Sequence, residues 1–482
     1  MLNDSRSSVH GFRETLPFYL FAIAIFLILI SQAFLSDGLF LDGLIYGTVA
    51  KNMAHGVGTF WDPHFTTTYL NHFHEHPPLG IGIQSIFFRI LGDSRYTERI
   101  YSLLTFIITG FLLLKTWKTL GFENGWLPLL LWLITPTVSW ACTSNILENT
   151  LTIFTTLSVL LYLRSINHNR FLLLFLSGFM LALAFLTKGF IAFFPFAFPF
   201  LFYLFKRERN FFQMIIDSAV MFCSAIIPLL LLLLFSPAAK ESITQYLEIQ
   251  VIASLESANT VATRFYIFQR LCAELAPMLL LCESFFLFAR MKKFTSTITR
   301  SGLRDAAPFL LIGLAGVAPI MISLKQRGFY TLATYPWFAI GFAILIYPLV
   351  ISVFSRINFR SAGFTFFRMM SFAFLVTGIT LCIYFSTTIG RDKTKLEDCY
   401  TVIKNIPEGS TINIDPRMAG DWSLHGYYQR LKSIDLDPDH NHNEKYLLIE
   451  NGMYSDSLKN SYSVVDLRTS GYKLLKRKNY VK

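Results

Sequence analysis

Between residues 36 and 98 the chain gathers six carboxylates, Asp37, Asp42, Asp62, Glu75, Asp93 and Glu98, and five of its ten histidines, His55, His64, His72, His74 and His76. Side chains of these types move protons near neutral pH or ligate metals. Asp42 stands near the start of a stretch in which Leu41, Ile45, Val49 and Met53 recur at helical spacing. That pattern predicts an amphipathic helix lying along a membrane interface. An acid in a first helical turn is favourable for the helix dipole alone; beside a membrane cavity it is also placed to accept a proton from an incoming hydroxyl or amine. In the run Asn71-His72-Phe73-His74-Glu75-His76-Pro77-Pro78-Leu79-Gly80, the two prolines remove backbone donors and stiffen the start of a second apolar helix, 79–91. His72, His74 and Glu75 form a candidate set for a divalent metal, because imidazole and carboxylate suit zinc and related ions. The spacing matches no fixed zinc motif, which favours a phosphate-contacting or structural role for Glu75 and His76.

These groups need elements to hold them, and composition says what solvent those elements meet. With 53% hydrophobic and 15% charged residues and a mean hydropathy of +0.47, the chain is too apolar for an ordinary soluble protein of 482 residues. Roughly eleven stretches are long and apolar enough to cross a bilayer: 16–35, 99–118, 126–142, 147–163, 171–187, 190–205, 214–235, 272–290, 306–324, 330–353 and 369–388. The first lacks a small-residue cleavage site and reads as a retained helix. With the N-terminus inside, every inside segment is basic: Arg6 and Arg13; Lys115 and Lys118; Arg164 and Arg170; Lys206, Arg207 and Arg209; Arg290, Lys292, Lys293, Arg300 and Arg304; Arg356, Arg360 and Arg368. The net charge of +11 therefore reads as topology and not as a nucleic-acid groove. The six cysteines show no paired spacing and are silent on redox compartment.

This threading puts the loops 36–98 and 236–271 and the tail from about 389 on the outer side. It also puts Lys188, and Lys325 with Arg327, in outer hairpins where cations are expected to be scarce. Any one of them could snorkel to headgroups. Together on one face they point to an anionic ligand bound at the outer membrane surface, and Lys with Arg suits a phosphate. The tail, 390–482, is different material. Thr411–Ile414 and Lys445–Ile449 read as strands, Asp435–Asn443 as a polar loop, and the whole as a small soluble α/β domain, for which stabilising the protein or docking an acceptor is favoured over a catalytic role.

Taken in order, Asp42 after the first span, His76-Pro77-Pro78-Leu79, Glu98-Arg99-Ile100-Tyr101-Ser102-Leu103-Leu104, Ser144-Asn145-Ile146-Leu147-Glu148-Asn149, Ala184-Phe185-Leu186-Thr187-Lys188-Gly189 and Lys325-Gln326-Arg327-Gly328-Phe329-Tyr330 carry a resemblance. Over about 15–350 the chain resembles the polyprenyl-phosphate-sugar glycosyltransferases related to protein O-mannosyltransferases and lipid A aminoarabinose transferase. The resemblance implies a GT-C-like, all-α polytopic membrane domain, 1–389, in a bacterial inner membrane, with its site facing the periplasm or exterior. It implies that Asp42 deprotonates the acceptor, that Glu148 is a second acid orienting acceptor or metal, and that Lys188, Lys325 and Arg327 hold the donor phosphate with Tyr330, His76 and Arg99 nearby. The donor would be a sugar on polyprenyl phosphate, the acceptor an envelope lipid, glycan or protein hydroxyl, and the stereochemistry inverting. No cofactor is required on this reading, although a divalent metal has a place at Glu148 or the histidine run. The chain departs from the family in having Gly43 where Glu often follows the first acid, and Asn145 where Arg often precedes the second. The alternative class is a transporter or flippase of an anionic lipid, which would use the same cations as a path.

Overall fold

The computed structural model describes residues 12–256, 259–292 and 299–480; Arg6 and Lys293 lie outside them. The chain opens with α1 (Phe12–Phe34), then α2 (Leu41–Ala54) and α3 (Leu79–Leu91) in the first long loop, and α4 (Thr97–Thr119). There follow α5 (Trp126–Leu133), α6 (Pro136–Ser144), α7 (Leu147–Ser165), α8 (Arg170–Lys188), α9 (Phe198–Lys206), α10 (Phe211–Phe235), α11 (Pro237–Tyr246) and α12 (Ala253–Glu256). The membrane part closes with α13 (Tyr266–Met291), α14 (Arg300–Val317), α15 (Tyr335–Phe354) and α16 (Ala362–Phe385).

Among the described residues, eight helices are long and apolar enough to cross a membrane, and α5 with α6, bent by 75°, makes a ninth. The expected eleven differ from these nine at two places. The segments expected at 171–187 and 190–205 run on as one helical stretch, Arg170–Lys206. The segment at 147–163 is helical, but α7 is threaded with Thr and Ser that pack inside, including buried Thr152, Thr155, Thr156 and Ser158. The Thr152 and Thr155 hydroxyls bond to the helix's own carbonyls, and that of Ser158 meets Ser177 of α8. A helix shielded from lipid by its neighbours tolerates such residues. Helices on the outside do not, and α16 and α10 are only 17% and 22% buried over their apolar windows.

The tail holds α17 (Lys393–Ile403), α18 (Trp422–Lys432) and a five-stranded sheet of β1 (Thr411–Ile414), β2 (Asp435–Asp437), β3 (Tyr446–Glu450), β4 (Tyr462–Val464) and β5 (Tyr472–Arg477). The order is β2-β1-β3-β5-β4, with β1 parallel to β2 and β3, and β5 antiparallel to β3 and β4. The start of the stretch expected to be a polar loop is thus a strand. Asp435, Leu436 and Asp437 are all buried, and Thr67 of the first loop donates to both oxygens of the Asp435 carboxylate, at 2.8 and 2.7 Å.

Tail and first loop share one core, in which Leu39 and Leu44 pack with Leu396, Leu424 and Tyr428. This corrects the expected setting of α2. It is a helix, but Gly43 through Met53 are all buried, with α3 against it on one side and α18 on another. Even Lys51 is enclosed, donating to the carbonyls of Gln429 and Arg430 and to the Ser433 hydroxyl at 2.8–3.1 Å. A second fastening is the buried ion pair of Arg430 with Glu98, 2.8 Å, whose guanidinium also donates to the carbonyls of Asp93 and Ser94. The α3 helix keeps an exposed apolar edge, Ile86, Ile90 and Leu91, as an interfacial helix would.

Candidate active site

The first loop, the facing ends of α7 and α8, and the segment 323–334 meet at one place. Lys188 is the last residue of α8. Gly189 follows at φ +78°, where any Cβ would overlap the Tyr246 hydroxyl, so the chain leaves the helix sharply. The Lys188 ammonium lies 3.2 Å from Glu148 Oε1, 3.2 Å from His76 Nε2 and 3.3 Å from the Tyr46 hydroxyl. The rings of Tyr46 and Tyr330 lie 5.4 and 6.0 Å away. Four separate segments therefore enclose one cation. Burial, with Lys188 and Lys325 beside it, holds the His76 imidazole neutral, well below its usual range. With Nε2 accepting from Lys188, the proton sits on Nδ1, and that buried atom has no partner.

Lys325 donates to Gln250 Oε1 at 2.6 Å, on the π-helical turn Leu247–Ile252. Its loop is shaped by buried Gln326, which accepts from the Ile267 amide and donates to the carbonyls of Arg264 and Ser323. Neither glutamine carries a charge that would draw notice in the sequence. Arg327, next along, is exposed. Burial pushes the Asp42 carboxyl above its ordinary range, while Lys188, Arg327 and Lys325 pull it back. Glu75 is likewise raised by burial against the pull of Lys325.

Lys188, Lys325, His76, Glu148 and Tyr330 line a cavity of about 380 Å³ whose remaining walls are largely apolar, among them Phe190, Phe194, Val251 and Ile320. A second cavity, about 510 Å³, is walled by Phe40, Trp140, Ser144 and Arg391. Along α2, Asp42 falls between Phe40 of the second cavity and Tyr46, which touches Lys188 of the first.

The two departures from the resembled family form one unit. A Cβ on Gly43 would overlap the Ser144 carbonyl oxygen, so a second acid has no room beside Asp42. Asn145, at φ +51°, donates from Nδ2 to the Gly43 carbonyl at 2.9 Å and accepts from Gln84 of α3 at 2.9 Å. Gly43→Ala is accordingly expected to push α2 off α6, costing about 1–3 kcal/mol as an overpacked contact does. A thermal-unfolding midpoint in detergent unchanged from wild type would contradict it.

Two expected roles are redirected. Arg99 does not face the cations. Its guanidinium donates to the carbonyls of Ala33, Phe34, Ser36 and Gly38 at 2.5–3.0 Å and so ties the start of α4 to the end of α1. Glu75 does not join the histidines. It lies within the charge field of Lys325 and Asp42, whereas His72 and His74 both approach Asp62, at 2.7 and 3.3 Å. Tyr46 was also invisible to the sequence reading, although its helical phase relative to Asp42 could have flagged it.

Whole-chain comparison of this fold finds two structures of ArnT from Cupriavidus metallidurans, one in the apo state and one bound to undecaprenyl phosphate. They share 13% and 14% identity with this chain, each at a TM-score of 0.64, over 94% and 95% of it and 97% of theirs. AglB, an archaeal oligosaccharyltransferase from Archaeoglobus fulgidus, aligns over 92% of this chain and 70% of its own at 13% identity and a TM-score of 0.50. The fold is thus that of the GT-C membrane glycosyltransferases. Residues 75–239 match the family described as dolichyl-phosphate-mannose-protein mannosyltransferase. The family match thus covers about a third of the chain, and over its whole length the chain shares the ArnT-like GT-C fold. No curated protein matches it by sequence search.

Proposed function

We propose that the protein moves a sugar from a polyprenyl-phosphate donor to an envelope lipid, glycan or protein acceptor at the outer face of a bacterial inner membrane. The observation that carries this reading is the meeting of Lys188, Lys325, Glu148 and a neutral histidine with an unmet N–H around a largely apolar cavity, with Asp42 in the field of both lysines and of Arg327. An isoprenoid tail suits the apolar walls and a phosphate suits Lys188, Lys325 and Arg327. Asp42 takes the acceptor proton as the acceptor atom attacks the anomeric carbon from the face opposite the phosphate. The bond from that carbon to the phosphate oxygen breaks, the sugar inverts, and the polyprenyl phosphate leaves with the bonding pair. Donors already fixed around a developing anion are commonly the largest catalytic contribution. The His76 Nδ1–H and the two lysines are such donors.

The test is incubation of the purified protein with a radiolabelled polyprenyl-phosphate sugar and fractionated envelope extract. Label should appear in one acceptor fraction, which names the acceptor class. Donor that binds and moves between leaflets of vesicles, with label never leaving the polyprenyl phosphate in any fraction, would overturn the reading.

A further inference from the structure

We propose that Asp62, His64 and His72, with His74, form a transition-metal site of the zinc class, separate from the cavity around Lys188. The backbone assembles it. Gly58, at φ +75°, bridges to Pro63, and the turn between them is closed by the Thr59 amide on the Asp62 carbonyl and the Asp62 amide on Thr59 Oγ1, at 2.8 and 3.1 Å. The Phe73 amide then donates to the Pro63 carbonyl at 2.7 Å, bringing His72 and His74 back to Asp62 and His64. Phe73 itself is 1% exposed and anchors that return.

Three imidazoles converge on the one carboxylate. His72 Nδ1 is 2.7 Å from Asp62 Oδ1 and hydrogen bonds to it. His74 Nε2 lies 3.3 Å from the same oxygen, and His64 Nε2 lies 3.5 Å from Oδ2. Ligand atoms of Asp62, His64 and His72 all fall within 4.8 Å of one another. Tetrahedral zinc ligands at about 2.0–2.1 Å from the ion stand about 3.3 Å apart, so short side-chain movements would seat one. A hydrogen-bonded aspartate needs only His72. The other two rings face it without hydrogen-bond geometry, an arrangement that serves a four-ligand ion. His74 is also oriented from behind, its Nδ1 lying 3.2 Å from the Ser242 hydroxyl on α11, as ligand histidines commonly are. Three nitrogens and one carboxylate oxygen select zinc, cobalt or nickel over magnesium or calcium. The ion would join the turn at 58–63 to the run that ends at His76, and through Ser242 to the second long loop.

Full-length protein in detergent, stripped with a chelator, is titrated with cobalt(II). The expected result is the intense visible absorption of a tetrahedral site saturating near about one equivalent, displaced by zinc and unaffected by excess magnesium. Glu75→Gln should keep the signal. The double variant His64→Ala, His72→Ala should lose it, and Asp62→Asn should weaken it if that double variant does not fold. Wild type giving no such absorption overturns the site, as does a signal unchanged in a folded double variant or abolished by Glu75→Gln.

Discussion

Asp42→Asn should reduce sugar transfer by about 10²–10⁴-fold, the usual worth of a positioned general base, and leave binding of undecaprenyl phosphate intact. The amide keeps the size of the side chain and its place near the start of α2 but cannot take a proton. Removing a negative charge from the field of Lys188, Arg327 and Lys325 should if anything favour an incoming phosphate. A truncated or misfolded site would instead lose binding and transfer together. The same assignment predicts a pH profile. The base must be deprotonated, and burial raises the Asp42 carboxyl against the three cations. Activity should therefore fall as pH drops through a value above the ordinary carboxylate range of about 4. Conservation of that acid limb in both Glu75→Gln and Glu148→Gln would assign it to Asp42, because Glu75 and Glu148 are the other carboxylates beside the site's lysines. Retention of near wild-type transfer by Asp42→Asn would end the general-base assignment.

What could be read in the sequence and what could not divide along physical lines. Lys188, Lys325 and Arg327 stood out because hydropathy fixes which side of a membrane a cation is expected on, and these broke that rule. The meeting of Lys188 with His76, at 3.2 Å, depends on elements separated by more than a hundred residues. Only the resemblance to a family suggested it. Uncharged helpers left no trace: Gln326 and Gln250 act through amides, and Asn145 through a left-handed turn that one residue type does not announce. The run 72–76 does not announce the approach of Asp62 to His72, which the chain makes by folding back ten residues. At α7 the expected segment is a helix, though its Thr and Ser keep it out of the apolar spans. Apolarity measures contact with lipid, and a helix enclosed by protein does not need it. The amphipathic reading of α2 failed because α18 and the tail's core cover the face expected to be wet, a long-range fact.

Lys188→Met should abolish transfer and weaken the fold as well, and the two losses can be separated. The ammonium is the only cation within 4 Å of the Glu148 carboxylate among the described residues, and the side chains are 6% and 0% exposed. Breaking a buried pair from one side strands the other charge at a cost of about 3–5 kcal/mol. Glu148 is poorly placed to bear this, since its oxygens have no hydrogen-bond partner besides that ion-pair contact. Lys188→Met is thus expected to unfold at markedly lower temperature, and adding Glu148→Gln should restore most of that stability by removing the stranded charge. If Lys188 serves only to neutralise Glu148, the double variant should also regain transfer. If it stabilises the departing phosphate, the double variant should fold yet stay about 10²–10³-fold slow, the loss seen when one donor to a developing anion is removed. Glu148→Gln alone distinguishes them further. With its carboxylate partner neutralised, the Lys188 ammonium keeps the Tyr46 hydroxyl and His76 Nε2 and turns more readily to an incoming anion. Undecaprenyl phosphate should then bind more tightly than to wild type, and an unchanged or weaker affinity would mean that Lys188 does not meet the phosphate.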